Sequence, residues 1–155
     1  MQKNLKVCFA ASSGGHFEQI MMLKPLMDTY ESFIVTEKTT YAANVGNRKV
    51  YYLKQVNRKE LTCVHKMLIN ILKSIHIYFK EKPDVIVCTG VLAMIPLCLL
   101  MKKRGKKLIY IESFAKVISP TLSGKLMYKY ADQFYVQWKQ MKKVYPNAIY
   151  VGGIY

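Results

Sequence analysis

Short apolar runs alternate with segments of helical spacing along most of this chain. The runs predict strands at residues 5–11, 31–36, 49–53, 84–89, 106–113, 133–137 and 148–151. Apolar residues that recur every three or four positions predict helices at residues 17–27, 60–79, 91–105, 123–130 and 139–144. The polar residues 39–47 predict a loop.

The predicted strands are apolar on both faces, which is typical of a parallel sheet covered by helices on each side. We therefore predict an α/β fold, a Rossmann-like parallel sheet with helices on both faces. The chain has 155 residues, which suits a single domain over residues 1–155 with a core of its own. In such sheets, ligands bind beyond the carboxyl ends of the strands.

The helix predicted at residues 60–79 carries two stripes. Its apolar positions predict the face that packs on the core: Leu61, Val64, Leu68, Leu72, Ile75 and Phe79. Its lysines recur every seven residues and share one side: Lys59, Lys66, Lys73 and Lys80. The lysine stripe is either the solvated face of an ordinary core-packed helix or a contact with an anionic membrane surface.

Residues 85–101 are almost continuously apolar and approach the length of the shortest membrane span. Gly90 and Pro96 interrupt this stretch and favour a strand, a turn and a helix instead. The apolar stretch near the amino terminus is too short for a signal peptide or a membrane span.

The charge of the chain is strongly positive, with 24 Lys and Arg against 9 Asp and Glu. A net charge of +15 either attracts anionic membranes, phosphorylated substrates or nucleic acid, or serves only solubility. No nucleic-acid-binding motif is visible, so we expect no nucleic-acid partner. The cysteines and histidines form no metal-binding pattern, so we expect free thiols, no protein-held metal and no cofactor.

The segment Ser12-Ser13-Gly14-Gly15-His16 joins the first predicted strand to a helix. Glycines permit a tight turn and the close approach of a ligand, and a helix N-terminus offers unpaired N–H groups to an anion. The segment matches neither the dinucleotide-binding pattern nor the P-loop. It is either a plain turn capped by serine or an anion site.

Two further strand ends carry candidate residues. Thr89-Gly90 repeats the arrangement of a strand end followed by a helix, and Glu112-Ser113 ends the next predicted strand. Glu112 has three interpretations: a general base, a group that binds a hydroxyl, or a structural partner of a helix N-cap. Trp138 follows a strand and is interpreted as a packing or interface residue.

Three stretches carry a resemblance to a known family: ASSGGHFEQIMML, PDVIVCTG and the block from KKLIYIES to the final VGGIY. The chain resembles the polysaccharide-biosynthesis PssD/CpsF family. It is also similar to the membrane-anchoring subunit of the eukaryotic two-subunit enzyme that adds the second N-acetylglucosamine to a dolichol-linked sugar. This resemblance covers nearly the whole chain and implies the amino-terminal half of a GT-B glycosyltransferase, related to the peptidoglycan enzyme MurG.

The resemblance implies a division of labour between two chains. This chain would bind a polyprenyl-diphosphate-linked acceptor, and a separate catalytic subunit would bind the UDP-sugar. Matching by position assigns the site to the two glycine loops and the Glu-Ser motif. The implied substrate-binding residues are Ser12, Ser13, Gly14, Gly15, Thr89, Gly90 and Ser113. His16 is the implied base and Glu112 its rival, because imidazole exchanges protons near neutral pH.

The resemblance also sets expectations for assembly and location. We expect the partner to contact Trp138, Gly152, Gly153 and Tyr155. The sequence shows no amino-terminal transmembrane helix like that of the eukaryotic subunit, so we expect a cytoplasmic protein held at the cytoplasmic face of the membrane by the lysine stripe. The expected function is a glycosyltransferase subunit in capsule or exopolysaccharide biosynthesis. The alternative is a non-catalytic recruiter that enhances the partner.

Overall fold

The computed structural model describes residues 5–39, 45–90 and 92–155. Within these residues one parallel sheet has the strand order β3-β2-β1-β4-β5-β6-β7. Its strands are β1 Lys6–Ala11, β2 Glu31–Glu37, β3 Lys49–Leu53, β4 Val85–Gly90, β5 Lys107–Ile111, β6 Gln133–Val136 and β7 Ile149–Tyr150. The order reverses between β1 and β4, and open α/β sheets bind ligands at such a reversal.

Helices cover both faces of the sheet, which confirms the predicted fold class. They are α1 Gly15–Met21, α2 Lys24–Thr29, α3 Cys63–Glu81, α4 Ile95–Lys103 and α5 Leu122–Met127, with short 3-10 turns at Leu92–Met94 and Lys139–Lys143. Helices α1 and α2 pack on one face, and α3, α4 and α5 pack on the other. Successive residues of β1 alternate between the two cores, with Cys8 in one and Phe9 in the other.

The strand predictions are confirmed to within one or two residues at their ends. The helix predicted at residues 17–27 is instead two helices, because Pro25 lies in the first turn of α2 and cannot continue the preceding one. The interpretation of residues 85–101 as strand, turn and helix is confirmed by β4 and α4. Residues 40–44 of the predicted loop lie outside the described residues.

In the part of the chain that the structure describes, no helix combines the length and the apolar composition needed to span a bilayer.

The prediction for the long helix was right about its existence and wrong about its buried face. Helix α3 begins at Cys63, so Lys59 lies in the turn before it. The residues that it buries are Asn70, Ser74, Ile77 and Glu81. The apolar positions expected in the core are exposed: Leu61, Val64, Leu68, Leu72, Ile75 and Phe79. The apolar period therefore marks the outer face of this helix.

Polar contacts hold α3 to the sheet. The side chain of Asn70 accepts a hydrogen bond from the amide of Lys54 and donates one to its carbonyl, both at 2.8 Å. At the other end of α3, Glu81 lies within 2.7 Å of Lys6 Nζ and 2.5 Å of Lys49 Nζ, and it accepts a hydrogen bond from the Tyr51 hydroxyl. Burial alone would raise the pKa of Glu81, but these hydrogen bonds lower it to about 2. Glu81 is therefore a charged anchor.

Candidate functional site

The two glycine loops meet where the strand order reverses. The amide of Ser12 donates to the carbonyl of Gly90 at 2.9 Å, and the hydroxyl of Thr89 donates to the carbonyl of His16 at 2.9 Å. The His16 ring covers Gly90, because a Cβ atom at Gly90 would lie 3.3 Å from His16 Cε1. Gly90 also has a φ of 111°, which disfavours any side chain. The structure thus brings together two loops that the sequence identified separately.

The two loops differ in exposure. Gly14 and Gly15 are exposed, and a Cβ atom at either would meet nothing within 4 Å. Thr89 and Gly90 are buried beneath the first loop. Only the first loop is open to a ligand in this structure, and the second loop supports it from below.

Three predicted substrate contacts are buried or engaged elsewhere. Ser12 and Ser113 are buried, while both the amide and the hydroxyl of Ser13 donate to Glu37 Oε2 at 3.3 Å. Substrate contact by these serines stays a prediction that would require the loops to rearrange. The exposed part of the predicted site is therefore Gly14 and Gly15, with the half-buried His16 beside them.

Sequence reasoning missed Glu37, which ends β2 and is buried. Besides its bonds from Ser13, it accepts a hydrogen bond from the amide of Val56 at 3.4 Å. It therefore ties the glycine loop to the segment after β3. The available signal was an acidic residue directly after an apolar strand, the same signal that identified Glu112.

Glu112 is fully engaged in a structural contact. Its Oε1 atom accepts from the Ser113 amide and the Thr121 hydroxyl, both at 2.9 Å. Its Oε2 atom accepts from the Thr121 amide at 3.2 Å and the Tyr145 hydroxyl at 2.8 Å. Thr121 in turn caps α5 by accepting from the Gly124 amide at 2.8 Å. We call this arrangement the Glu112 clamp, because it closes the loop between β5 and α5.

The clamp explains two other residues of this segment. A Cβ atom at Gly124 would overlap the Glu112 carboxylate, so only glycine fits there. Burial, followed by the charge of Glu112, raises the pKa of the Tyr145 hydroxyl, which therefore stays a donor. Of the three interpretations of Glu112, the observed geometry matches the N-cap partner.

His16 has a different environment. Its Nδ1 atom is buried and has no hydrogen-bond partner among the described residues. The four hydrogen bonds that Glu112 accepts come from Ser113, Thr121 and Tyr145. None comes from His16, so Glu112 does not orient the imidazole ring. A role for His16 as a base stays a prediction.

Three of the residues predicted to contact a partner, Trp138, Gly153 and Tyr155, lie around the side chain of Phe114. The ring of Phe114 lies 4.9 Å from that of Trp138 and 5.0 Å from that of Tyr155. The indole N–H of Trp138 donates to the carbonyl of Phe114 at 2.6 Å. Phe114 would also lie 3.3 Å from a Cβ atom at Gly153. Sequence reasoning did not identify Phe114, although it directly follows the Glu-Ser motif.

Gln137 connects this carboxyl-terminal segment to the rest of the site. Its side-chain nitrogen donates to Gln19 Oε1 at 3.0 Å and to the Glu112 carbonyl at 2.9 Å. Its side-chain oxygen accepts from the Ile154 amide at 3.0 Å. One buried amide thereby joins α1, the end of β5 and the chain terminus.

An apolar groove of about 360 Å³ lies beside this segment, on the face of the sheet that carries α1 and α2. Its floor consists of side chains from β4, β5 and β6, including Val87, Ile109 and Tyr135. Its walls are Met22, Leu23 and Leu26 on one side and residues 151–154 on the other. The predicted partner residues Gly152 and Gly153 line it, whereas Trp138 and Tyr155 are not among its lining residues and contact Phe114 instead.

The lysine stripe lies along the side of α3 that faces β3. Lys66 pairs with Glu60, and Lys73 Nζ donates to the carbonyl of Tyr52 at 2.9 Å. Lys80 Nζ lies 5.8 Å from the centre of the Tyr51 ring. Membrane contact by these lysines stays a prediction.

The four cysteines of the chain are free, as expected. Burial raises the pKa of the Cys8 thiol, while the neighbouring Cys88 and burial raise that of Cys98. Across residues 5–39, 45–90 and 92–155, no three His, Cys, Asp or Glu side chains are grouped closely enough to hold a metal ion.

Comparison with known proteins assigns the family. Residues 28–154 match the family model described as oligosaccharide biosynthesis protein Alg14 like. This chain belongs to the Alg14 family. A similar relative is the UDP-N-acetylglucosamine transferase subunit alg14 of Schizosaccharomyces pombe, which is 32% identical over 97% of this chain and 83% of its own length. The corresponding subunit of Rattus norvegicus is 28% identical over 99% of this chain and 84% of its own length.

Solved structures support the fold. The chain superposes on MurG of Acinetobacter baumannii with a TM-score of 0.71 and 14% identity, covering 88% of this chain and 42% of MurG. It superposes on UDP-N-acetylglucosamine 2-epimerase of Rickettsia bellii with a TM-score of 0.75 and 13% identity, covering 98% of this chain and 46% of the epimerase. The Alg14-family chain therefore spans less than half the length of these structures, and the likeness concerns its Rossmann-like fold.

Proposed function

We propose that this Alg14-family chain is the acceptor-binding subunit of a two-chain glycosyltransferase, and that a catalytic partner supplies the UDP-sugar. Its relatives are named as subunits of a UDP-N-acetylglucosamine transferase, which supports an enzyme that is composed of more than one chain. The observation that carries the proposal is the open loop at Gly14 and Gly15 beside the strand-order reversal. A diphosphate suits exposed glycine amides, and the net charge of +15 favours such an anion.

The groove suits the catalytic partner. Helix α1 begins in the glycine loop and leads to Met22 in the groove wall, and its seven residues span only about 10 Å. A partner seated in the groove would therefore bring its donor sugar close to an acceptor held at Gly14. The apolar lining and the aromatic cluster around Phe114 are the chemistry of a stable protein interface.

Within this site we propose His16 as the group that accepts the acceptor hydroxyl's proton. It is a titratable side chain directly next to the open glycines, whereas Glu112 is committed to its clamp. By resemblance to the PssD/CpsF family, the product is a capsule or exopolysaccharide precursor, and the chain works at the cytoplasmic face of the membrane.

The test is sugar transfer to a polyprenyl-diphosphate-linked acceptor by the chain co-expressed with its catalytic partner. His16→Ala should lower kcat by about 10²–10⁴, the range for acid–base groups, without weakening the association of the two chains. Glu18→Gln is the matched control, because Glu18 is an exposed titratable residue of the same helix. Full-rate transfer by this chain alone would refute the two-chain proposal.

One observation favours the alternative of a non-catalytic recruiter. In this structure no side chain among the described residues orients the buried Nδ1 of His16, whereas catalytic histidines are commonly held by such a partner. If His16→Ala leaves kcat unchanged while the loss of this chain abolishes transfer, the recruiter is correct.

A further inference from the structure

The exposed face of α3 carries a continuous apolar surface. We call it the α3 ridge: Val64, Leu68, Ile71, Leu72, Ile75 and Phe79, which are between 38% and 72% exposed. At 100° per residue these six side chains fall within about 100° of arc, and the helix of 19 residues is about 28 Å long. An apolar face of this extent is unusual on a surface that meets only water.

We infer that the α3 ridge inserts into the interfacial region of a lipid bilayer, with α3 lying parallel to the membrane plane. Amphipathic helices bind membranes in this way, with their apolar face buried and cations at the headgroup level. Cations lie around the ridge, as this placement requires. The Arg104 guanidinium lies 5.2 Å from the centre of the Phe79 ring at the far end, and Lys73 and Lys80 lie about 130–150° around the helix from the middle of the ridge, on the side that faces β3.

The acidic residues near α3 do not oppose this placement. Glu60 is paired with Lys66, and Glu81 is buried between Lys6 and Lys49. Positive charge therefore dominates around the ridge and complements anionic headgroups, which attract each nearby lysine or arginine. A protein surface would need both an apolar strip and acidic groups to match it, whereas an anionic bilayer offers both by composition.

The position of the ridge in the fold supports the same occupant. Because α3 connects the parallel strands β3 and β4, it runs back across the sheet and begins at the edge where the carboxyl ends of the strands lie. Val64 is therefore at the same edge as the glycine loop. In addition, α3 covers the opposite face of the sheet from the apolar groove, so a bilayer and a catalytic partner can be bound together.

The orientation of this surface rests on the proposed acceptor role, but bilayer insertion itself does not. The experiment measures sedimentation of the purified chain with phosphatidylcholine vesicles and with vesicles that also contain phosphatidylglycerol. We expect binding to both, and tighter binding to the anionic mixture. Leu68→Ser combined with Leu72→Ser should lower the partition coefficient at least about tenfold with both lipids, because the apolar contact is lost.

Two matched variants separate apolar insertion from charge attraction and from general loss of surface apolarity. Lys73→Glu combined with Lys80→Glu should remove only the preference for anionic vesicles. Leu5→Ser combined with Tyr30→Ser removes two exposed apolar side chains at the amino end of the sheet and should bind like the unchanged chain. All replaced positions are exposed or half-buried, so unfolding midpoints should remain close to that of the unchanged chain.

Three results would overturn the inference. If the variant with Leu68→Ser and Leu72→Ser, called the serine variant below, binds vesicles as well as the unchanged chain, insertion by the ridge is wrong. If the unchanged chain is a dimer that the serine variant dissociates, the ridge is a contact between two copies. If the variant instead loses only its catalytic partner, the ridge is a partner surface. Transfer to a short, water-soluble acceptor tests the proposed function separately, since no bilayer is needed.

Discussion

Replacing Glu112 by glutamine separates its structural role from catalysis. The carboxylate accepts four hydrogen bonds, two at each oxygen, and it is almost completely buried. Glutamine keeps one oxygen but turns an NH₂ group toward two donors. Hydrogen bonds to a charged group contribute about 1.5–3 kcal/mol each, and the Thr121 and Tyr145 hydroxyls can turn to recover part of the loss. We expect the free energy of unfolding to fall by about 3 kcal/mol.

Urea unfolding and thermal melting, followed by circular dichroism, measure this change. A loss of about 3 kcal/mol lowers the Tm of a chain of this length by roughly 6–12 °C. Gly124→Ala should produce a loss of similar size, because the added methyl group overlaps the Glu112 carboxylate without removing any titratable group. Glu18→Gln, at an exposed position of α1, should change stability by less than about 0.5 kcal/mol.

The refuting result concerns activity at a temperature where each variant is folded. If Glu112→Gln unfolds like the unchanged chain but transfers sugar at least a hundredfold more slowly, Glu112 acts in the chemistry and the clamp is wrong. If both Glu112→Gln and Gly124→Ala lose stability and their residual transfer follows the folded fraction, the clamp is correct.

Three further predictions concern stability and assembly. Because the pKa of Glu81 falls from its ordinary 4.5 to about 2 on folding, its charge stabilises the fold above pH 4.5 and this stabilisation disappears as the pH falls toward 2. The difference in unfolding free energy between the unchanged chain and Glu81→Gln, up to about 3 kcal/mol at neutral pH, should therefore vanish across that range in urea titrations. Gln137→Leu should lower the free energy of unfolding by about 2–3 kcal/mol and speed hydrogen exchange at the Ile154 amide, which loses its acceptor. Unchanged exchange at that amide would contradict the role of Gln137 in holding the carboxyl-terminal segment. Phe114→Ala should weaken association with the catalytic partner at least tenfold in a pull-down titration, and unchanged affinity would place the interface elsewhere.

The sheet could be predicted from the sequence because its strands are apolar on both faces, a pattern that a parallel sheet with two cores requires. The positions of the glycine loops followed from this, since every strand of such a sheet ends at the same edge. The split between α1 and α2 was also available from Pro25, whose missing N–H forbids a continuous helix.

The orientation of α3 could not be predicted, because amphipathicity identifies an apolar face but not which face is buried. Here the packing face uses Asn70, which satisfies the backbone of Lys54, and this contact depends on a segment sixteen residues away. The role of Glu112 was open for the same reason. Its partners Thr121 and Tyr145 lie nine and thirty-three residues along the chain, and no local pattern brings them together.

The polar attachment of α3 has a consequence for its local stability. Ile77 is the one apolar side chain among the residues that α3 buries, and Tyr78 packs half-buried on the same core, so the attachment of the helix depends largely on Asn70 and on the charge of Glu81. Elements with few buried apolar contacts open most readily, and their amides exchange hydrogen fastest. A bilayer that covers the outer face would supply the apolar contacts that the packed face lacks, so binding to lipid would stabilise α3 against local opening.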